Sequence, residues 1–108
     1  ADLPLAMPAV APRGWQHSWH LFVVRLTGDA PVGRNEFIEQ MAARNIGCSV
    51  HFIPLHLHPY WRDRYQFRPE DFSLAWKAFE GAVSLPLYPR MSTADQRRVV
   101  AAIRSILQ

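Results

Sequence analysis

Three histidines within eight positions, His51, His56 and His58, are the residues whose type and spacing first suggest chemistry. Neutral imidazole is a good zinc ligand, and alternation along an extended segment puts His56 and His58 on one side. A closed site needs one or two further donors. Cys48 is the single thiol, Asp63 is the nearest acid, and Pro54 and Pro59 interrupt the strand that would present the pair. The pattern favours histidines that line a loop and bond to backbone or to a partner over a metal centre. A thiolate–imidazole pair of Cys48 and His51 fails on parity, because residues three apart on a strand point to opposite faces. Cys48 directly follows Gly47 at the expected start of a strand, where a small buried hydrophobe fits.

Lys77 is the only lysine and hence the only residue that could form a Schiff base. Such a lysine must be desolvated or held near another cation. Lys77 instead lies off the apolar stripe of its helix, as a solvated lysine does. Glu70 and Asp71 precede the same helix, where adjacent acids compensate its dipole. Gly28 and Gly33 lack the G-x-G-x-x-G spacing of a phosphate loop. Arg97 and Arg104 share one face of the last helix opposite part of its apolar stripe, which is the solvated side of an amphipathic helix. The strand bearing Phe22 lacks the aromatic-basic pattern of an RNA-binding sheet. No nucleic-acid partner is expected.

The elements that must position these residues follow from periodicity. Residues 1–16, with Pro4, Pro8, Pro12 and Gly14, read as a linker. Trp19 to Leu26 is a first strand that is largely apolar on both faces and so requires cover on both. A helix over Asn35 to Asn45 presents Phe37, Ile38, Met41 and Ala42, with Gly47 as its C-terminal stop. Cys48 to Phe52 reads as a second strand, and Pro54 to Pro69 as irregular and aromatic-rich. A second helix, Phe72 to Ala82, carries Ala75, Ala78, Phe79 and Ala82. Val83 to Leu87 is a third extended piece. The last helix starts at Ser92, which forms a capping box with Asp95, and buries Val99, Ile103, Ile106 and Leu107. Few strands with helices between them indicate an α/β or α+β domain on a small sheet, over residues 17–108.

At 108 residues the chain suffices for one core. With 49% hydrophobic and 19% charged residues it has the composition of an ordinary globular protein. The net charge of +3 comes from eleven arginines and one lysine against nine acids, too modest to imply a polyanionic partner. A single cysteine excludes an internal disulfide framework and fits the cytoplasm. No apolar run approaches the ~20 residues of a membrane span, and Ala1 to Val10 lacks the basic start of a signal peptide.

Three segments carry a resemblance that covers His17 to Leu107. They are the histidine-flanked first strand His17-Ser18-Trp19-His20-Leu21-Phe22-Val23-Val24-Arg25-Leu26; the stretch Ser49-Val50-His51-Phe52-Ile53-Pro54-Leu55-His56; and Ser84-Leu85-Pro86-Leu87-Tyr88-Pro89 running into Met91-Ser92-Thr93-Ala94-Asp95. In order and spacing these resemble the C-terminal domain of the pyridoxal-phosphate-dependent nucleotide-sugar aminotransferases of the DegT type. The resemblance implies a small C-terminal domain of fold type I, with a few-stranded, mainly antiparallel sheet and helices packed on one face. The other face would pack on a missing N-terminal cofactor-binding domain. Function would be transfer of an amino group, commonly from glutamate, onto a keto nucleotide-sugar for surface-polysaccharide or glycoside biosynthesis, by a homodimer. Pyridoxal phosphate would serve the complete enzyme without a covalent bond to this chain, whose Lys77 lacks the family's serine- and glycine-flanked context. No catalytic residue is expected here. His51 and Phe52 match the family's histidine–aromatic pair that reaches toward cofactor and sugar nucleotide, with His56 a further candidate; no metal ligand is implied.

Other readings stay open at this level. A dehydratase of the same family would differ at the lysine, which lies outside these residues. A stand-alone interaction domain of this fold would have a sheet face that self-associates. A small metal protein using His51, His56 and His58 would retain zinc through dialysis.

Overall fold

The structure, a computed structural model, describes residues 3–108. Among the described residues, three strands, β1 (Leu5–Ala6), β2 (Phe22–Leu26) and β3 (Ala82–Leu85), form an antiparallel sheet in the order β1-β2-β3, accompanied by four α-helices. These are α1 (Arg34–Ala42), α2 (Pro59–Tyr65), α3 (Ser73–Gly81) and α4 (Thr93–Leu107). The small sheet with helices read from the sequence is present, and it is antiparallel, as the family resemblance implied.

Register decides which side chains share a face. Val24 pairs with Val83, and Phe22 with Leu85, so one face presents an apolar set to α1 and α4. Phe37 and Met41 of α1 and Val99, Ala102, Ile103, Ile106 and Leu107 of α4 close on it. Phe37, Met41 and Val83 are fully buried. The stripe read for α4 is buried as expected, and its capping box is formed. The Ser92 backbone N–H donates to Asp95 Oδ2 (2.9 Å), and the Asp95 N–H donates to Ser92 Oγ (3.1 Å).

Four local expectations are corrected. The proline-rich start contributes a strand: Leu5 and Ala6 pair with Leu26 and Arg25. Two residues are too few to show period-2 alternation, so the sequence pattern gave no sign of them. Cys48 to Phe52 is not a continuous strand; it makes a single bridge, Ser49 to Ser84, before Pro54 withholds its N–H. The segment read as irregular contains α2, started by Pro59 at its first position. Gly47 does not end α1. Asn45 takes the left-handed conformation (φ 57), and Ile46 N–H to Met41 O (3.0 Å) with Asn45 N–H to Ala42 O (2.8 Å) forms a Schellman cap.

The second helix also ends one residue early, at Gly81, and Ala82 opens β3. This abrupt helix-to-strand change brings α3 close to β2; a Cβ on Gly81 would lie 2.6 Å from the Leu26 carbonyl oxygen. Arg34 ties α1 to α3, donating from Nη1 to the Phe79 carbonyl (2.9 Å) with its guanidinium 4.7 Å from the Phe79 ring centre.

Candidate functional site

The second face of the sheet carries Val23 and Arg25 from β2 and Ala82 and Ser84 from β3. Val23 is half-buried and Arg25 exposed, so this face is only partly covered, in contrast to the face under α1 and α4. Ala75, Ala78 and Phe79 of α3 flank it, and the segment after the Ser49 bridge crosses it. Between them lies an open hollow of about 370 Å³, lined by His51, Phe52 and Pro54 together with those residues.

His51 enters this hollow through the geometry of the bridge. Ser49 and Ser84 exchange both backbone hydrogen bonds (3.1 and 2.9 Å), which makes them direct cross-strand partners. Two residues on, His51 projects to the same side and lies diagonal to Ser84. Its Nε2 stands 2.9 Å from Ser84 Oγ. Phe52, next along, lines the same hollow with 91% of its surface exposed. A single imidazole beside a large exposed ring, on a concave face whose other lining is apolar apart from Arg25, can position a bound group by hydrogen bonding and stacking.

His56 is placed elsewhere. A short 3-10 turn, Leu55–Leu57, buries it to 7% exposure against Phe72, with ring centres 4.8 Å apart. Its Nε2 is buried without a hydrogen-bond partner among the described residues. With Trp61, Phe67 and Phe72 it lines a second, almost wholly apolar pocket of about 310 Å³ that shares Pro54 and Ala75 with the first hollow. The sequence showed an aromatic-rich loop here without revealing that helix α2 folds it into a wall. Trp61 stacks on Tyr65 at 9°, Tyr65 on Phe67, and Phe67 meets Phe72 edge to face.

His58 turns away from both, with Nε2 3.1 Å from the Ile53 carbonyl oxygen. The three histidines thus have three different environments. Among the described residues no three His, Cys, Asp or Glu side chains come together as metal ligands. Cys48 packs against the main core, where burial pushes its thiol above the ordinary range, as for a small hydrophobe. Lys77 is exposed and borders a different hollow, near Thr27 and Arg34, on the far flank of α3. It is exposed to solvent and lies away from the His51 hollow. Among the described residues no helix is long and apolar enough to cross a membrane.

Residues 1–104 match the profile of the DegT/DnrJ/EryC1/StrS aminotransferase family. The chain belongs to this family. Among its relatives is the spore coat polysaccharide biosynthesis protein SpsC of Bacillus subtilis, 41% identical over 95 residues, covering 86% of this chain and 24% of SpsC. Spr1654 of Streptococcus pneumoniae, assigned as a sugar aminotransferase, superimposes in its apo form with a TM-score of 0.85 at 24% identity, over 98% of this chain and 26% of that one. The same protein has also been solved in forms with PLP and PMP. DesV of S. venezuelae, solved with a ketimine intermediate, gives a TM-score of 0.76 at 30% identity, over 97% of this chain and 27% of DesV. The chain therefore spans about a quarter of the length of the relatives it matches, and the fold agrees with their C-terminal part.

Proposed function

We propose that this chain is the small C-terminal domain of a pyridoxal-phosphate-dependent nucleotide-sugar aminotransferase. In this reading the polypeptide acts as a cytoplasmic homodimer and moves an amino group, commonly from glutamate, onto a keto sugar of a nucleotide diphosphate for polysaccharide or glycoside biosynthesis. The observation that carries the reading is the partly covered sheet face with His51 and Phe52 in its hollow. Family membership supports it, as do the PLP and PMP forms of Spr1654 and the role in SpsC's name.

Pyridoxal phosphate, held by the upstream portion, would supply the electron sink for moving the amino group. The contribution of this chain is orientation and exclusion of water. His51 offers one ring nitrogen to a polar group of the bound sugar nucleotide, while Phe52 and the apolar walls from Val23, Ala75 and Ala78 cover it. The docked upstream portion would cover the rest of the second face, including Val23 of β2, which is only half-buried.

The test uses the complete polypeptide from the native source. Its intact mass should be about four times that of this chain, given the coverage of the relatives. It should bind pyridoxal phosphate and transfer an amino group from glutamate to a keto nucleotide-sugar. His51→Ala should lower kcat/KM by roughly three- to tenfold, the worth of one hydrogen bond. A native polypeptide of only this chain's mass, or unchanged kinetics in the variant, would refute the reading.

A further inference from the structure

Among the described residues Ser84 is one of two buried polar residues, at 6% exposure, and its side chain lies on the sheet face that bounds the hollow. A hydroxyl has one hydrogen to donate, and a buried donor is almost always satisfied. Among the described residues the sole hydrogen-bond partner of Ser84 Oγ is His51 Nε2, at 2.9 Å. The hydroxyl therefore donates to this nitrogen. In the neutral ring an Nε2 that accepts leaves the hydrogen on Nδ1, because each nitrogen's role is set by the bond the other makes. We propose that Ser84 is a positioning residue, which holds His51 in one rotamer and in the Nδ1–H tautomer, so that the ring offers a donor to an acceptor oxygen bound in the hollow.

The backbone makes this arrangement rigid. Ser84 sits at the junction of two pairings: with Val23 of β2 on one side, and with Ser49 through both backbone hydrogen bonds on the other. Neither Ser84 nor the segment that leads to His51 can shift without breaking a sheet bond. The donor is thus prepared before a ligand arrives, and its ordering cost is met by folding. A donor suits the acceptor-rich hydroxyl, carbonyl and phosphate oxygens of a sugar nucleotide. The proposal rests on the reading that His51 faces the substrate.

The experiment takes the complete polypeptide, with histidine labelled by nitrogen-15, and compares the parent with Ser84→Ala, Ser84→Thr and His51→Ala. The long-range proton–nitrogen spectrum reports the tautomer of His51, assigned from the His51→Ala spectrum. Steady-state kinetics with a keto nucleotide-sugar report the consequence. The parent is expected to show a hydrogen on Nδ1. Ser84→Ala should change the tautomer ratio about fivefold, the worth of one neutral hydrogen bond, and lower kcat/KM by a similar factor. Ser84→Thr keeps the hydroxyl and should restore both to within about twofold. An unchanged tautomer in Ser84→Ala overturns the proposal, as does a parent ring with its hydrogen on Nε2. A changed tautomer with parental kinetics, while His51→Ala is impaired, overturns the positioning role alone. Parental kinetics in His51→Ala overturn the underlying reading, and with it any role for Ser84 in turnover. Should Ser84→Ala not fold, the tautomer in the parent and in Ser84→Thr still decides, since loss of the Nδ1–H form in either refutes the assignment.

Discussion

Gly81 offers the sharpest test of how the fold holds the candidate site. It ends α3 one residue before β3 begins, and a Cβ there would stand 2.6 Å from the Leu26 carbonyl oxygen and 3.4 Å from the Leu26 nitrogen. Carbon–oxygen contacts settle at about 3.3 Å or more, so Gly81→Ala must part α3 and β2 by roughly 0.7 Å. The obstacle is backbone, which no side-chain rotation can clear. Overpacking of this kind costs about 1–3 kcal/mol, and replacing a helical glycine returns up to about 1 kcal/mol. The net expectation is a loss of about 1–2 kcal/mol. Gly47→Ala provides the contrast: nothing lies within 4 Å of its Cβ position and its φ is not positive, so its effect should stay within about 0.5 kcal/mol. Hydrogen exchange by mass spectrometry, read on peptides that cover residues 22–26 and 82–85, reports the local opening free energy. Exchange there should accelerate roughly five- to thirtyfold in Gly81→Ala, by the factor of ten per 1.4 kcal/mol, and hardly change in Gly47→Ala. Since Ala75, Ala78 and Phe79 of the same helix wall the His51 hollow, substrate KM should rise with it. Equal exchange in the two variants, or slower exchange in Gly81→Ala, would refute the argument that this close approach sets the position of α3.

Three further outcomes follow from the core and the caps. Phe37→Ala, at a fully buried position under the sheet, should cost about 3–5 kcal/mol by denaturant unfolding; a loss below about 1 kcal/mol would mean that α1 is not a core element. Asn45→Ala should destabilise by about 1–2 kcal/mol and Asn45→Gly should not, because position 45 needs the left-handed conformation; equal effects would contradict the Schellman cap. The hydrogen bond from the Ser92 hydroxyl, followed by that from the Ser92 backbone N–H, holds the Asp95 carboxyl below its ordinary range. A carboxyl depressed on folding stabilises the native state above its unfolded pKa of about 3.9 and loses that contribution as pH falls through the folded value. Protection in the first turn of α4, taken as exchange relative to the intrinsic amide rate at each pH, should therefore fall below about pH 4 in the parent and be less pH-dependent in Asp95→Asn; greater protection in acid would reverse the sign and refute it.

The long helices were legible because their signals are local and repeated. Val99, Ile103, Ile106 and Leu107 recur at helical spacing over roughly two and a half turns of α4, and Ser92 with Asp95 marks its start. Phe37 and Met41 mark α1 in the same way. Elements shorter than the period of their own pattern were not legible. The two residues of β1 cannot alternate, and the single Ser49 bridge resembles a strand in composition but lacks the length to be one. Gly47 attracted the role of helix stop from its type, whereas the left-handed residue is Asn45, and the hydrogen-bond ring that closes there is what distinguishes them.

The candidate site divides along the same line. Sequence alone determined that His51, Phe52 and His56 stand among prolines and aromatics, that Lys77 is a helix-surface lysine, and that the three motif segments carry a family resemblance; all of these are properties of residue type and order. Only tertiary structure decided that His51 and Phe52 share a hollow while His56 is buried in a separate aromatic pocket, and that Ser84, 33 residues from His51, lies within hydrogen-bond distance of its ring. Those facts depend on strand register and on where α2 and α3 pack. Register is set by which distant residues pair across β2 and β3, a sum of many small contacts that no local pattern records.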